Sequence, residues 1–258
     1  MTKDFNHKKS EHKSQKPAIL FSLDGALLKT DPAILATYRE VFSRFGHESE
    51  FTPEMQLEVL DASVTKMMQK FFHDCDTQEC MNVYDSYQRD HLIDLIQPVD
   101  GAEDLLQWLK KHHYKVGILS TRERSSIIEL LERKRLIQYI DTVIGGTSSH
   151  SDYVTSTSIV KACRILEVHN CIFVGDSASD VAAGKESGAY TIGVVYNHKK
   201  APSIVAEGPD FATGDIRQIK KLLQGEPMWI AYRVYQPEEI EQQKPLPQND
   251  KNKKKKKS

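Results

Sequence analysis

Carboxyl and hydroxyl side chains stand where three short apolar runs of the sequence end. They belong to Ser22, Asp24, Ser120, Thr121, Asp176 and Asp180. Carboxylates that converge repel one another unless a hard cation lies among them, and oxygen ligands of this kind suit Mg²⁺. Hydroxyl groups and free backbone N–H groups, such as that of Gly25, can hold a phosphoryl group. The residue types therefore point to phosphoryl chemistry, with Asp24, Asp176 and Asp180 as candidate metal ligands.

The apolar runs are typical of buried strands, and they alternate with helical patterns. The predicted strands cover Pro17–Leu23, Tyr114–Ser120, Asp141–Gly146, Asn170–Val174, Tyr190–Tyr196 and Phe211–Thr213. The predicted helices cover Ala102–Lys111, Ser125–Lys134, Ser158–Leu166 and Val181–Ser187. Such alternation predicts an α/β fold with a parallel sheet covered on both faces. Ligands bind beyond the carboxyl ends of the strands in such a sheet, so the polar residues named above are expected to meet there.

Residues 31–97 interrupt this alternation between the first two strands. Their apolar positions recur at helical spacing, and the segment is too long for an ordinary crossover connection. We interpret it as a helical cap inserted after the first strand. Met67, Met68, Phe71 and Phe72 could line a ligand cleft, but their spacing favours the interior of the cap.

Composition divides the 258 residues into a globular body and two polar ends. Residues of the AVILMFWYC group make up 39% of the chain, enough for a real core, so wholesale disorder is excluded. We assign residues 17–30 and 98–225 to an α/β core. Residues 1–16 are predicted to be a disordered basic tail, and residues 226–258 an extension that ends in a Lys-rich disordered tail.

The net charge of −1 conceals a partition along the chain. Residues 1–16 carry five Lys against two acids, and residues 236–258 carry seven Lys against four acids, which leaves the body at −7. An acidic body is not typical of a nucleic-acid-binding domain. We therefore expect no nucleic-acid partner, except weakly through the Lys-rich tail, whose alternative role is to aid solubility.

The sequence also bears on membranes and location. No apolar run reaches the roughly 18 residues of a membrane span, and the polar residues 1–16 do not resemble a secretory signal. The four cysteines have no metal-binding spacing and are expected to be free thiols. We therefore expect a cytoplasmic protein without membrane contact.

Three segments, in order, resemble the motifs of a known superfamily. They read PAILFSLDGALLKT (17–30), HYKVGILSTR (113–122) and FVGDSASDVAAGKESGAYTIGV (173–194). They are similar to the first, second and fourth motifs of the haloacid dehalogenase (HAD) superfamily, and the helical insertion lies where its capped members have their cap. The resemblance is to the phosphoglycolate phosphatase and pyrophosphatase branch. It implies a Rossmann-like core, Mg²⁺, and a phosphorylated small molecule or pyrophosphate as ligand.

The resemblance also implies roles for single residues. Asp24 takes the position of the general acid and base, Ser120 that of the phosphate-binding hydroxyl, and Asp176 and Asp180 those of the metal-binding acids. Mg²⁺ would rest on these two acids and on the carbonyl oxygen of Asp24. The nucleophile position, which the superfamily fills with Asp, holds Ser22.

A second position also departs from the superfamily. Tyr153 stands where a Lys normally holds the phosphoryl group. Loss of the nucleophilic Asp alone would leave that ammonium uncompensated, whereas loss of both keeps the local charge balanced. Arg122, next to Thr121, could replace the Lys as a phosphate contact; the alternative is a solvated first turn of a helix.

Three functions remain open at this point. The first is a weakened or inactive phosphohydrolase that still binds Mg²⁺ and a phosphorylated small molecule. The second is an active hydrolase in which Ser22 attacks phosphorus and Asp24 serves as its base. The third is an interaction protein that acts through its basic tails.

Overall fold

The body of the chain is built from strands that alternate with helices. The computed structural model describes residues 15–61, 64–73, 75–146 and 154–225. The strands are β1 (Ala18–Ser22), β2 (Leu28–Lys29), β3 (Gln97–Pro98), β4 (Val116–Glu123), β5 (Thr142–Gly146), β6 (Cys171–Gly175), β7 (Tyr190–Val194) and β8 (Phe211–Thr213). Among the described residues, six of them form one parallel sheet in the order β5-β4-β1-β6-β7-β8. The predicted α/β class is confirmed.

Helices cover both faces of this sheet and form the insertion. They are α1 (Asp31–Arg44), α2 (Pro53–Asp61), α3 (Val64–Phe71), α4 (Thr77–Tyr87), α5 (Ala102–Lys111), α6 (Arg124–Arg133), α7 (Ser156–Ile165), α8 (Ala178–Glu186), α9 (Ala201–Ala206) and α10 (Arg217–Gln224). Within the described part of the chain, no helix is long and apolar enough to cross a membrane. The predictions for residues 1–14, for Tyr153 and for 226–258 concern residues outside the described ranges.

Strand β1 lies at the centre of the sheet, between β4 and β6. Its side chains alternate between two hydrophobic clusters: Ile19 and Phe21 face one of them, and Ala18 and Leu20 face the other. Helices α5, α6 and α10 contribute to the first cluster, and α7 and α8 contribute to the second. Because both faces are covered, β1 is apolar from Ala18 to Phe21, and only its last residue, Ser22, is polar.

Helices α1, α3 and α4 pack around a third hydrophobic cluster, separate from the sheet. Phe42 lies at its centre, with its ring 4.8 Å from that of Phe72. Met67, Met68 and Phe72 are fully buried in this cluster, so they pack in the interior of the insertion, as their spacing favoured. The division of the chain into core and cap at residues 31 and 97 stays a prediction.

The chain passes between the sheet and the helical insertion through a small two-stranded ribbon that the sequence analysis missed. Strands β2 and β3 pair antiparallel, with Leu28 opposite Pro98 and Lys29 opposite Gln97. The exposed side chains of Lys29 and Asp100 form an ion pair of 2.8 Å beside it. Two-residue strands have no periodicity to detect, which is why they were not predicted.

Strand β4 extends further than predicted. It continues to Glu123, and its pairing with β5 shifts register between Leu119 and Glu123. Ser120, predicted as the last residue of this strand, therefore lies inside it, and Arg122 lies in its irregular end and not after it. Such an irregularity changes the direction of side chains near a strand end, and here it accompanies the turn of both residues towards the first strand.

Candidate active site

The carboxyl ends of β1, β4 and β6 open into one cavity of about 630 Å³ between the sheet and the helical insertion. The cavity brings together the sequence-predicted residues Ser22, Asp24, Gly25, Ser120, Thr121, Arg122, Asp176 and Asp180. Apolar side chains of the insertion, including Ile34, Val59 and Met81, form part of the opposite wall. The expected convergence of polar residues at this edge of the sheet is therefore present in the structure.

A tight loop after β1 carries the first group of residues. The backbone N–H groups of Leu27 and Leu28 both donate to the carbonyl oxygen of Leu23, which folds the loop back on the strand. Gly25 adopts a φ of +72°, and a Cβ atom at this position would lie 1.9 Å from Oδ2 of Asp176. Only glycine fits here, because the loop passes directly over the Asp176 carboxylate.

Asp24 and Arg122 form a two-pronged ion pair in the cavity. Nε and Nη2 of Arg122 donate to Oδ1 of Asp24 over 3.0 and 2.8 Å, and Nε also donates to Oδ2 over 2.8 Å. Ser120 Oγ donates to the same carboxylate over 3.4 Å. Nη1 of Arg122 donates to the side-chain oxygen of Gln88, which follows α4. The guanidinium thus bridges the sheet and the helical insertion.

This pair sets the protonation state of Asp24. Burial alone would raise the pKa of the carboxyl group, but the charge and hydrogen bonds of Arg122 outweigh burial and hold the pKa below its usual value. Asp24 is therefore a carboxylate at neutral pH and has no proton to give to a leaving group. The guanidinium of Arg122 points to Asp24 and Gln88, and its role as a phosphate contact stays a prediction.

Ser22 contacts a different carboxylate from the one considered as its base in the sequence analysis. The side chain of Ser22 is buried and lies near Asp180, where its hydroxyl lowers the pKa of that carboxyl group. Oδ2 of Asp180 also accepts the backbone N–H of Asp176 over 3.2 Å, and the backbone N–H of Asp180 donates to Ser177 Oγ, the cap of α8. Burial raises the pKa of Asp180 despite these hydrogen bonds. A raised pKa makes this carboxylate a better base than an exposed one.

Lys200 enters the cavity from the segment between β7 and α9. Its Nζ lies 3.0 Å from Oδ2 of Asp176, and the two side chains are only 11% and 12% exposed. Burial raises the pKa of Asp176, Lys200 opposes that effect, and the neighbouring Asp180 adds to it. The sequence analysis missed Lys200, because it closes a polar run, Asn197 to Lys200, that looks like an ordinary surface loop.

Comparison with known proteins identifies the family. The profile described as haloacid dehalogenase-like hydrolase matches residues 19–194, more than half of the chain. The chain belongs to this family. The pyrophosphatase PpaX of Listeria monocytogenes serotype 4b is 28% identical over 195 residues, which cover 75% of this chain and 89% of the relative. PpaX of Bacillus cereus strain Q1 is 24% identical over 207 residues, covering 80% and 95%.

Solved structures of HAD proteins have the same fold. A haloacid dehalogenase-like family hydrolase from Streptococcus pneumoniae superposes with a TM-score of 0.70 at 19% identity, covering 81% of this chain and 98% of the other. A predicted phosphoglycolate phosphatase from Haemophilus somnus 129PT superposes with a TM-score of 0.66 at 16% identity, covering 80% and 97%. Together with the PpaX relatives, the comparisons place this chain in the phosphatase branch of the HAD superfamily, as its motifs indicated.

HAD-family phosphatases generally use Mg²⁺, but the donors in this chain do not fit a tightly held Mg²⁺ ion. Within the described ranges, no three His, Cys, Asp or Glu side chains are grouped to hold a metal. The first strand offers the neutral hydroxyl of Ser22 and the backbone carbonyl oxygen of Asp24, whose carboxylate is paired with Arg122. Of the two remaining acids, Asp176 already has the ammonium of Lys200 as its counterion. A hard cation prefers several charged oxygen ligands, and at the end of β6 the ammonium of Lys200 acts on both Asp176 and Asp180 and competes with a cation for them.

The two predicted phosphate-binding hydroxyl residues, Ser120 and Thr121, differ in exposure. Ser120 is buried against Asp24, whereas Thr121 lines the cavity with an exposed side chain. Their assignment to phosphate binding, with Gly25, stays a prediction. Tyr153, the position of the superfamily Lys, lies outside the described residues.

Proposed function

We propose that this HAD protein binds a phosphorylated small molecule in the cavity and hydrolyses it weakly or not at all. The observation that carries the proposal is the state of two residues at the end of β1 and just beyond it. A hydroxyl, Ser22, stands at the nucleophile position, and Asp24 is held as a carboxylate by Arg122. Hydrolysis of an ester needs both an activated nucleophile and a proton for the leaving group.

One contact favours a second candidate, an active hydrolase that uses Ser22. Its hydroxyl lies near Asp180, whose raised pKa suits a general base. In such a step the proton of Ser22 passes to Asp180, Oγ bonds to phosphorus, and the bond to the leaving oxygen breaks. Because Asp24 is ionised, it cannot protonate that oxygen. This route would therefore work only for substrates whose leaving group needs no proton, such as pyrophosphate.

The walls of the cavity support an organic ligand over a bare inorganic one. Ile34, Val59, Val64, Met81 and Ile96 line the cavity on the side of the insertion. Apolar walls recognise the carbon skeleton of a ligand, while a few polar groups hold its charged end. A phosphomonoester of a small organic molecule uses both regions, whereas pyrophosphate uses only the polar one.

Two further features of the proposal concern magnesium and location. We propose that Mg²⁺ binds here more weakly than in a complete HAD site, because Lys200 competes with it for Asp176. A cytoplasmic location stays a prediction. The third candidate function, an interaction through the basic tails, concerns residues outside the described ranges.

Release of phosphate by the purified protein tests the proposed function. The substrates are pyrophosphate, phosphoglycolate and a set of sugar phosphates, each with Mg²⁺. We expect no turnover by the wild-type protein and measurable turnover by the Ser22→Asp/Tyr153→Lys double variant, because this variant regains the nucleophile and the phosphate-holding Lys. Ser22→Ala is the matched control for the nucleophile position.

The outcomes separate the two candidates. Wild-type turnover that Ser22→Ala abolishes would contradict the proposal and establish a serine mechanism, most clearly if it were confined to pyrophosphate. Wild-type turnover that Ser22→Ala leaves unchanged would contradict both. If the wild type shows no turnover and a phosphomonoester raises its melting temperature, the result would support the proposal that the protein binds the ligand without hydrolysing it.

A further inference from the structure

The buried position of Lys200 needs an explanation. A lysine ammonium is strongly hydrated, and its burial costs free energy unless a partner compensates it. Lys200 nevertheless turns inward until its side chain is 11% exposed, whereas the neighbouring Lys199 is exposed. The inward position brings Nζ to Asp176, in the cavity that Ser22, Gly25 and Ser120 also line.

The charges of the described cavity residues show what Lys200 contributes. The carboxylates after β1 and β6 are those of Asp24, Asp176 and Asp180. Arg122 is committed to Asp24 by three hydrogen bonds. Lys200 is then the cation that faces the pair of acids after β6, where the HAD resemblance would put a divalent metal.

We infer that Lys200 takes the place of the divalent metal, and that its ammonium holds a phosphoryl oxygen of the ligand while it stays paired with Asp176. The inference rests on the proposed function, binding of a phosphorylated molecule. It adds that the ligand binds without a divalent cation and that Lys200 is the residue responsible for this independence.

The chemistry of the ammonium group supports the inference. A lysine ammonium has three N–H donors, so a contact with Asp176 does not prevent a second contact with a ligand. Hydrogen bonds from a cation to phosphate are stronger than neutral ones, and they are stronger still in a cavity that excludes water. The Asp176 carboxylate in turn holds the ammonium of Lys200 in the cavity.

Inorganic phosphate serves as the probe, titrated calorimetrically into the full chain in EDTA and in Mg²⁺. We expect wild-type affinity to differ by less than about twofold between the two buffers. Lys200→Met is expected to lose about tenfold or more in EDTA, which corresponds to about 1.4 kcal/mol, and to regain affinity in Mg²⁺. Lys199→Met, the exposed neighbour, is the matched control and is expected to behave like the wild type.

A second readout uses no phosphate. Mg²⁺ alone is expected to leave the melting temperature of the wild type unchanged and to raise that of Lys200→Met, because the metal gains access to Asp176 and Asp180. If Lys200→Met does not fold, Lys200→Met/Asp176→Asn removes both charges together and is expected to show the same loss of phosphate binding in EDTA.

The outcomes distinguish this inference from the function on which it rests. Wild-type binding that requires Mg²⁺, or unchanged binding by both Lys200 variants in EDTA, would overturn the role of Lys200 and leave a phosphate-binding protein. Absence of wild-type binding in both buffers, to phosphate and to the phosphomonoesters of the turnover assay alike, would overturn the proposed function and the inference with it.

Discussion

Among single residues, Arg122 contacts both the end of the first strand and the helical insertion. It lowers the pKa of Asp24, so this carboxyl group carries no proton at neutral pH. It also donates a hydrogen bond to Gln88 of the insertion. The position of the guanidinium, and with it the pKa of Asp24, therefore depends on where the insertion lies. A change at Arg122 therefore alters both the acid–base chemistry and the stability of the site.

A double-mutant cycle on Arg122 and Asp24 measures the pair. Arg122→Met is expected to lower the free energy of unfolding by about 2–3 kcal/mol at pH 7, because it leaves a partly buried carboxylate unpaired. Arg122→Met/Asp24→Asn is expected to lose less than the two single variants together. Urea unfolding of the four proteins gives the coupling energy, and additive losses would contradict a favourable pair.

The same cycle has a defined pH dependence. The pKa of Asp24 in the folded protein lies below its ordinary value of 3.8, so the unfolded chain takes up a proton first as pH falls. The stabilisation by the pair is then fully present above that ordinary value and is lost as pH falls through the lower folded pKa. The coupling energy is therefore expected to be constant from pH 7 to about pH 5 and to decline below pH 4.

At the scale of elements, the helical insertion has a hydrophobic interior of its own. Phe42 is fully buried there, and its ring meets those of Phe51, Phe71 and Phe72. Phe42→Ala is expected to destabilise the insertion by about 3–5 kcal/mol, from lost burial and the cavity left behind. The partly exposed Phe45 is the matched control, and Phe45→Ala is expected to cost clearly less.

Hydrogen exchange locates the effect of Phe42→Ala. Because this cluster contains no residue of the sheet, amides of α1, α3 and α4 are expected to exchange faster, while those of β1 and β6 keep their protection. Equal loss of protection in β1 would mean that insertion and sheet unfold as one unit, and would contradict this prediction.

The sequence predicts the elements with strong periodicity and misses contacts between distant segments. Strand β1 was located within one residue at each end, because it is apolar on both faces and ends in polar residues. The ribbon of β2 and β3 and the helices α9 and α10 were missed, because short elements give weak patterns. Lys200 was missed for another reason: its partner Asp176 lies 24 residues away, and nothing in its own neighbourhood marks it as inward-facing.

At the scale of the whole molecule, charge is divided between an acidic body and basic ends. The body between residues 17 and 235 has a net charge of −7, and residues 236–258 carry +3. A polyanion that approached the tail would also be repelled by the net negative charge of the body. At physiological ionic strength charges are screened beyond about 8 Å, so a tail of this charge gives only local and weak attraction.

Deletion of residues 236–258 tests whether the tail is a binding element. We expect the full chain to show no measurable binding to single-stranded RNA at about 150 mM salt, the regime in which screening removes weak contacts. The deletion is expected to leave phosphate affinity unchanged, because every residue that lines the described cavity lies before residue 201. RNA binding that weakens steeply with salt and vanishes on deletion would contradict this prediction. The basic tail would then be a functional element, because counterion release at several lysines is what produces such a salt dependence.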